Sequence, residues 1–483
     1  MKPLTTIWRW FEDRTGTGAL VGAAARHLVP PGAGWWYVFG SATLTAFLIQ
    51  VSTGIALALV YVPSTAHAYS ALQFITHDAW LGNFLRGMHY FGASAMILLI
   101  GLHVIRVFLM AAYKYPREMS WLSGVLLLGV TVLMGFTGQL LRWDQNAVWS
   151  VIVAAEQAGR APFIGTTVAH FLMAGDTVGG ATLTRFFAFH VFFIPALIFA
   201  AIPLHLYLVL RNGISEPPQA GRPVDPGVYR AWYREMLRRE GVPFWPDAAW
   251  RDLLFSFLVV VVVAALAYFF GPPRLGMPPD PTILEAAPRP DWYLLWYFAV
   301  LALLPHGVEK YVIIGAPLLA GMVLVLLPFL SGRGERHPRR RPWAVGAVLM
   351  IAMMIGTLWV AGVRTYWSPD FSAPPLSEAV IGASSGPVYE GARIFGTKGC
   401  IYCHRIDDDG GRRGPNLTTV GRRLSGNQMI TRILNGGYNM PAFANNIAPA
   451  DLDRLVVFLR SRTGGRQVRR DGEPGGGLPR QSR

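Results

Sequence analysis

Seven long apolar stretches are the feature that most restricts the fold of this chain. Each is close to the roughly 20 residues that a helix needs to cross the hydrocarbon core of a bilayer. The 483-residue sequence is 52% apolar and only 15% charged, which is typical of a polytopic membrane protein. The stretches cover residues 37–61, 85–112, 122–141, 184–210, 253–270, 312–330 and 343–363. A further apolar segment, 292–304, is too short to span and predicts a buried or re-entrant helix.

The charged loops predict the direction in which the chain crosses the membrane. Lys and Arg cluster near the N-terminus and in the loops after the second, fourth and sixth stretches, which all fall on one side. By the positive-inside rule this side is the cytoplasm of a bacterial inner membrane, and everything after residue 364 lies on the outer side. The net charge of +15 is therefore an orientation signal, and no nucleic-acid partner is expected.

Two of the apolar stretches each carry a pair of histidines. His89 and His103 are 14 residues apart, and His190 and His205 are 15 residues apart. At about 100° per residue, these spacings return to one helix face within about 40° and about 60°. One such histidine would be an ordinary core residue, but two matched pairs favour two metal centres stacked across the membrane. A transporter that uses the histidines as a proton relay is an alternative of a different class.

Glycines and arginines near these helices indicate space and charge for a large planar cofactor. Two glycine pairs repeat the 14-residue spacing on the first and third stretches, although ordinary small-residue packing also produces such pairs. These glycines are Gly40, Gly54, Gly124 and Gly138. Arg86 and Arg106 lie one turn outside the first histidine pair, so they are expected either to bind haem propionates or to extend to the membrane interface.

The only two cysteines lie in the sequence Cys400-Ile-Tyr-Cys403-His404. This pattern attaches a c-type haem through two thioether bonds, with the histidine as an iron ligand. Zinc is the alternative, weakened because the chain has no further cysteine to offer. Met440, in a loop flanked by Gly and Pro, is the expected sixth ligand, and Met429, in a helical pattern, is the second candidate. Attachment of c-type haem outside the bacterial cytoplasm agrees with the orientation given by the loops.

Together these residues resemble the cytochrome b subunit of cytochrome bc-type complexes over about residues 10–365. The unequal histidine spacings, seven spans and stretches such as LTRFFAFH are similar to the plastid and cyanobacterial branch, with its two polypeptides fused. The region 388–462 resembles a class I cytochrome c. The resemblance implies that His89 with His190 holds the haem nearer the outer face, and His103 with His205 the haem nearer the cytoplasm.

The resemblance also marks an outer quinol site. The motif is Pro290-Asp291-Trp292-Tyr293. Because the family carries Pro-Glu-Trp-Tyr, Asp291 keeps the carboxylate with a shorter reach, and its implied role is to accept a proton from quinol. A helix start capped by the aspartate is the structural alternative. The segment 143–145 resembles the family segment that walls the same pocket, with Arg142 in place of the usual proline.

Two other family features are weakly marked or missing. The plastid branch attaches an extra haem through a cysteine near the start of the first span, and Val38 stands at about that position, so that covalent haem is not expected. The inner quinone site is indicated only by Arg211 and Asp252. For both residues, a solvated charge at the interface is the more ordinary interpretation.

The predicted fold is all-α. It is a polytopic membrane helical bundle of seven transmembrane helices, the first four binding two b-type haems, followed by a small all-α cytochrome c domain with one c-type haem. The resemblance implies a proton-translocating quinol oxidoreductase subunit of a bc-type complex. Expected partners are a Rieske iron–sulfur protein, the membrane quinone pool, for which the aspartate variant hints at menaquinone, a downstream cytochrome or oxidase, and a second copy in a homodimer within a larger complex. A di-haem quinone-reactive membrane anchor of another dehydrogenase is the alternative.

The predicted domain boundaries follow from these assignments. They are an N-terminal interfacial segment 1–35, a four-helix di-haem domain 36–215, a three-helix domain with the quinol-site loop 216–366, a linker 367–387, the cytochrome c domain 388–462 and a disordered tail 463–483.

Overall fold

The computed structural model describes most of the chain, in several ranges. They are residues 2–159, 161–175, 178–279, 289–304, 306–365, 373, 375–411, 414–436, 440, 442–444 and 446–464. The chain divides into a membrane unit, which holds most of residues 1–368, and a second unit built mainly from residues 369–483. Parts of the predicted linker, at 367–372 and 374, and the predicted tail from residue 465 onward lie outside the described residues.

The membrane unit is almost entirely helical. Its helices are α1 Lys2–Thr15, α2 Thr17–Ala25, α3 Phe39–Ala58, α4 Ala68–His77, α5 Gly82–Leu109, α6 Glu118–Leu140, α7 Gln145–Gly159, α8 Gly165–Met173, α9 Gly180–Ala188, α10 Ile194–Asn212, α11 Tyr229–Glu240, α12 Ala249–Phe269, α13 Leu295–Leu303, α14 His306–Leu330 and α15 Pro342–Arg364. Short 3₁₀ turns cover Trp35–Tyr37, Trp292–Leu294 and Pro338–Arg340. Strands β1 Leu28–Val29 and β2 Val242–Pro243 pair antiparallel.

Seven helical segments in the described residues are long and apolar enough to span a membrane. They are Phe39–Ala58, Gly82–Leu109, Glu118–Leu140, Gly180–Asn212, Phe244–Phe269, Tyr311–Leu330 and Pro342–Arg364. Each coincides with one of the seven apolar stretches, so the predicted all-α membrane fold is confirmed. The eighth apolar segment forms the short helix α13, whose Phe298 and Ala299 are buried against neighbouring helices such as α15.

Small side chains let the first helices of the bundle pack closely. α3 packs along α5, and α6 packs along α10. Ala42 and Ala46 of α3 are fully buried, in a cluster that includes Met96 of α5 and Ile198 of α10. Small residues at such contacts allow close approach of two helix backbones inside a membrane. This packing sets the spacing between the helices that carry the four histidines.

The fourth span contains one wide helical turn. Residues Phe189–Phe193 form a π-helix between α9 and α10, and this turn includes His190. Pro195 follows in the first turn of α10, where it lacks the backbone donor of a regular helix. A single π-helical turn is one way in which a helix adapts to a proline, and such turns are frequent at functional sites.

The second unit is a small helical domain. Its helices are α16 Glu378–Ile381, α17 Gly386–Thr397, α18 Cys400–Cys403, α19 Val420–Arg423, α20 Gly426–Asn435 and α21 Pro449–Arg460, and strands β3 Arg405–Ile406 and β4 Asp409–Gly410 pair antiparallel. α17 packs on α21, where the rings of Phe395 and Phe458 lie 5.8 Å apart at their centroids. Ser425 caps α20 through a reciprocal capping box with Gln428.

Candidate functional site

The first histidine of each predicted pair faces the other across the bundle. The ring centroids of His89, on α5, and His190, in the π turn, are 6.3 Å apart. Metal–nitrogen bonds to imidazole are about 2 Å long, so two rings that bind one metal from opposite sides have centroids roughly 6 Å apart. The separation therefore fits one metal ion held between the two rings.

Each of the four histidines lies against one of the four predicted glycines. A β-carbon added at the glycine would meet Cε1 of the ring, at a distance tighter than or close to ordinary contact. The pairs are Gly54 with His89 at 3.3 Å, Gly138 with His190 at 2.5 Å, Gly40 with His103 at 3.3 Å and Gly124 with His205 at 3.4 Å. A larger residue at any of these four positions would press on the histidine ring. The glycines therefore leave the space that the rings occupy.

Three histidines are fixed in one tautomer by hydroxyl side chains. The contacts to Nδ1 are Thr53 with His89 at 2.9 Å, Ser123 with His205 at 2.9 Å and Thr137 with His190 at 3.2 Å. Each hydroxyl donates its single proton to a carbonyl of its own helix. It must therefore accept from the ring, which puts the proton on Nδ1 and leaves Nε2 bare as a metal ligand.

These hydroxyl residues were not identified in the sequence, although a signal for them exists there. Thr53, Ser123 and Thr137 each stand immediately before a glycine that contacts a histidine. The fourth such glycine, Gly40, follows Phe39, which has no hydroxyl to offer. A hydroxyl residue directly before a glycine of this spacing therefore marks three of the four histidine contacts.

The second histidine of each pair lines a large cavity in the membrane unit. His103 and His205 share this cavity of about 470 Å³ with Gly40 and Gly124. Its other walls are mainly apolar side chains from α3, α5, α6 and α10. Its position between two histidines and two glycines suits a large, flat, mostly apolar group.

The two predicted arginines differ in what they contact. Arg86 donates to Oγ1 of Thr76 at 3.1 Å and to the carbonyl of Pro273 at 2.9 Å. Arg106 lies over the ring of Tyr37 at 3.7 Å, and its Nε and Nη2 have no hydrogen-bond partner among the described residues. A buried donor without an acceptor costs about 1–3 kcal/mol, and more when the group is charged. Arg106 therefore needs an anionic partner in the 470 Å³ cavity that it lines, and a haem propionate meets that need.

The residues present thus fit haem at both levels of the bundle. Paired rings, bare Nε2 atoms and glycine contacts occur at the first level, and histidines, glycines and a guanidinium with two nitrogens that lack an acceptor among the described residues occur around the cavity at the second. Asp252 was expected to be a solvated charge, but it is half-buried and accepts a hydrogen bond of 2.6 Å from Ser41 beside this cavity. Arg211 is exposed and donates to the hydroxyl of Tyr207.

The Pro290–Tyr293 motif lies beside a second cavity, of about 380 Å³, that is lined by Pro290. Oδ1 of Asp291 lies 3.5 Å from Nη1 of Arg142, and Nε of the same guanidinium lies 3.7 Å from Oδ2 of Asp144. Burial raises the pKa of Asp291, the guanidinium of Arg142 lowers it, and the nearby carboxylate of Asp144 raises it. Asp291 is therefore a partly buried carboxylate with one cationic neighbour, which suits a proton acceptor.

The aromatic residues of the motif are held by specific contacts. Trp292 donates from Nε1 to Ser94 Oγ at 3.1 Å, and its carbonyl accepts from Trp359 at 2.9 Å. The hydroxyl of Tyr293 packs on Gly135, where a β-carbon would lie 2.7 Å away. These contacts fix the motif between α5, α6 and α15.

The segment after α6 forms a tight turn that positions Arg142. Trp143 is buried with a φ of 47°, and Asp144 accepts from the backbone of Ala147 at 2.8 Å as the cap of α7. The second carboxylate oxygen of Asp144 accepts from Gly276 at 3.2 Å. The resemblance of this segment to the family's pocket wall agrees with its location beside Asp291.

The second unit brings together the residues of the CxxCH motif. The one-turn helix α18 carries Cys400 and Cys403, which form no disulfide with each other. Nδ1 of His404 donates to the carbonyl of Pro415 at 2.8 Å, which leaves Nε2 unprotonated. Met440 is half-buried against the domain core, whereas Met429 is 2% exposed within it. Among the described residues, no group of three or more His, Cys, Asp or Glu side chains is placed to hold a metal ion.

The bundle and its paired histidines define a haem-binding membrane protein of the electron-transfer class. Residues 25–213 match the family model described as Cytochrome b/b6/petB, and residues 280–372 match Cytochrome b(C-terminal)/b6/petD. Together these matches cover more than half of the chain. The chain belongs to the cytochrome b/b6 family, and the predicted fusion of both halves is confirmed. Residues 386–459 match the model described as Cytochrome C oxidase, cbb3-type, subunit III, which confirms the appended cytochrome c domain.

Known relatives agree with this assignment. Cytochrome b6 of Synechococcus elongatus is 39% identical over 214 residues, which are 44% of this chain and all of that protein. Cytochrome b6 of Mastigocladus laminosus is 38% identical over the same length. A solved structure titled Hyperthermophilic respiratory Complex III matches with a TM-score of 0.64 and 27% identity, over 74% of this chain and 91% of that one. The protein is thus an electron-transfer subunit of a bc-type complex and uses haem cofactors.

Proposed function

We propose that this chain oxidises membrane quinol at its outer face as part of a quinol:cytochrome c-type oxidoreductase. One electron passes to a Rieske iron–sulfur partner and then to the cytochrome c domain, and the other crosses the membrane to reduce quinone near the cytoplasm. Protons are released outside and taken up inside. The observation that carries this proposal is the opposed pair His89 and His190, with rings 6.3 Å apart at their centroids.

Two b-type haems and one c-type haem are the expected cofactors. His89 with His190 would hold the outer b haem, His103 with His205 the inner one, and Arg106 a propionate of the inner haem. Cys400 and Cys403 would attach the c-type haem, with His404 and Met440 as iron ligands. When bound, these groups supply one-electron transfer, and the protein supplies position and electrostatic environment.

The outer quinol site is assigned to the 380 Å³ cavity beside Pro290 and Asp291. The carboxylate of Asp291 accepts a proton from quinol and releases it outward, and the guanidinium of Arg142 partly offsets the rise in its pKa that burial causes. Trp292 and Tyr293 hold the backbone of the motif in place through their contacts with α5 and α6. The inner quinone site is assigned to the cavity wall near Asp252.

A Rieske protein is proposed as a partner because the chain needs an acceptor of high potential at the outer site. Its two cysteines both lie in the CxxCH motif, so the sequence offers no iron–sulfur cluster site of its own. The basic loops support a cytoplasmic N-terminus and an outer cytochrome c domain in a bacterial inner membrane. A homodimer within a larger complex follows from the family.

The proposal is tested with the purified complex in a quinol oxidation assay. Asp291→Asn should lower the rate by at least a hundredfold, since general-base catalysis contributes roughly 10²–10⁴-fold. Asp247→Asn, which changes an exposed aspartate elsewhere in the membrane unit, is the matched control and should keep the wild-type rate. A complex that contains both haem types but oxidises no quinol, and copurifies with a dehydrogenase subunit, would favour the membrane-anchor alternative.

A further inference from the structure

A glutamine in the wall of the 380 Å³ cavity beside Pro290 has a hydrogen-bond acceptor without a donor in the described part of the chain. Gln139, near the end of α6, is only 4% exposed and lines the 380 Å³ cavity. Its Oε1 has no hydrogen-bond partner among the described residues. A buried acceptor without a donor costs about 1–3 kcal/mol. Gln139 is therefore poised to receive a donor from whatever fills this cavity.

The orientation of the Gln139 amide is fixed by its neighbours. Nε2 of Gln139 lies 2.8 Å from Oγ of Ser150. The hydroxyl of Ser150 donates to the carbonyl of Asn146, also at 2.8 Å. A hydroxyl has one proton, so Ser150 can only accept from Gln139. The amide nitrogen must face Ser150, and the acceptor Oε1 is the atom left over.

A second glutamine of the same cavity differs in this respect. Oε1 of Gln157 accepts a hydrogen bond of 3.1 Å from the hydroxyl of Tyr297. Most of the remaining wall is apolar. The apolar side chains of this wall include Val132, Leu133, Phe136, Val153, Leu294 and Leu301. In such surroundings a single acceptor has a large influence on which ligand binds.

We propose that Oε1 of Gln139 accepts a hydrogen bond from a hydroxyl of bound quinol and makes the outer site prefer quinol over quinone. This inference rests on the proposed function of the cavity. A quinol hydroxyl has a proton to donate, whereas a quinone carbonyl has only lone pairs. Oxidation removes both hydroxyl protons, so the product faces Oε1 with an acceptor and loses the contact. Gln139 therefore favours entry of the substrate and departure of the product.

The test compares binding of the two redox forms to the purified complex. The probe is decylubiquinol or 2,3-dimethylnaphthoquinol, whichever the wild-type complex oxidises faster, with its own quinone as competitive product inhibitor. Gln139→Met keeps the volume and removes the acceptor. A hydrogen bond contributes about 0.5–1.5 kcal/mol, so KM for quinol should rise about two- to thirteenfold. The competitive Ki for quinone should stay the same or fall.

Two further variants separate this role from a structural one. Gln157→Met, in the same cavity, should leave the ratio of KM to Ki at the wild-type value. Ser150→Ala frees the amide of Gln139 to rotate, so the ratio should rise, but less than in Gln139→Met. If the Gln139→Met variant does not assemble into the complex, the ratio of KM to Ki in the Ser150→Ala variant decides whether Gln139 has this role.

The outcomes distinguish this inference from the proposed function. An unchanged ratio of KM to Ki, or a parallel rise of both constants, overturns the role of Gln139 while quinol oxidation by the wild-type complex stands. A wild-type complex that oxidises neither quinol, or an Asp291→Asn variant at full rate, overturns the quinol site and this inference with it.

Discussion

The contact between Gly138 and His190 allows a prediction of the cost of one added methyl group. In Gly138→Ala the new β-carbon would lie 2.5 Å from Cε1 of His190, so the ring must retreat by about 0.9 Å to reach ordinary contact at 3.4 Å. Metal–ligand distances tolerate only about 0.2 Å. Overpacking of this kind costs about 1–3 kcal/mol, which exceeds the roughly 1 kcal/mol that alanine gains over glycine in a helix. We therefore expect loss of the outer b haem.

The assay is the ratio of b-type to c-type haem, measured by pyridine haemochrome spectra of purified protein. Gly138→Ala should lower the ratio from two to about one. Gly54→Ala, where the β-carbon lies 3.3 Å from Cε1 of His89, should keep both b haems with a shifted potential. Gly101→Ala, whose β-carbon meets nothing within 4 Å, should match the wild type. Two b haems with unchanged spectra in Gly138→Ala would refute the reasoning.

Three further predictions follow from the other sites. Burial raises the pKa of Asp291, and the positive charge of Arg142 lowers it. Arg142→Gln removes this charge, so the pKa of Asp291 should rise further. The acidic limb of the pH–rate profile for quinol oxidation should then move to higher pH. A limb that stays in place or moves to lower pH contradicts this. Cys400→Ser should weaken covalent haem staining on a denaturing gel while the b-haem spectrum stays normal. Met440→Leu should lower the potential of the c-type haem; Met429→Leu should keep that potential and lose less than about 1.5 kcal/mol of unfolding free energy.

Much of the fold was predictable because the membrane imposes strong rules on sequence. The seven spans follow from length and apolarity, and the short helix α13 follows from a stretch too brief to cross. The contacts of Gly54 with His89 and of Gly138 with His190 agree with glycines spaced like the histidines. Periodicity on a helix carries this information because neighbours on one face recur at fixed intervals.

The polar contacts of the sites were not predictable in the same way. The ion pair of Arg142 and Asp291 joins residues 149 positions apart, and no periodic pattern links them. The orphan acceptor of Gln139 depends on the proton of Ser150, which only the hydrogen-bond network defines. A solvated Asp252 is the more ordinary interpretation of the sequence, since no sequence pattern links this residue to its donor Ser41 on a distant part of the chain.

The central claim is that four histidines on two spans hold two b-type haems above one another in the membrane unit. Its most direct test is haem quantitation of the purified full chain, with reduced-minus-oxidised spectra recorded on the same sample. The account predicts two b-type haems for each c-type haem. A preparation that carries the c-type haem and no b-type haem would contradict it.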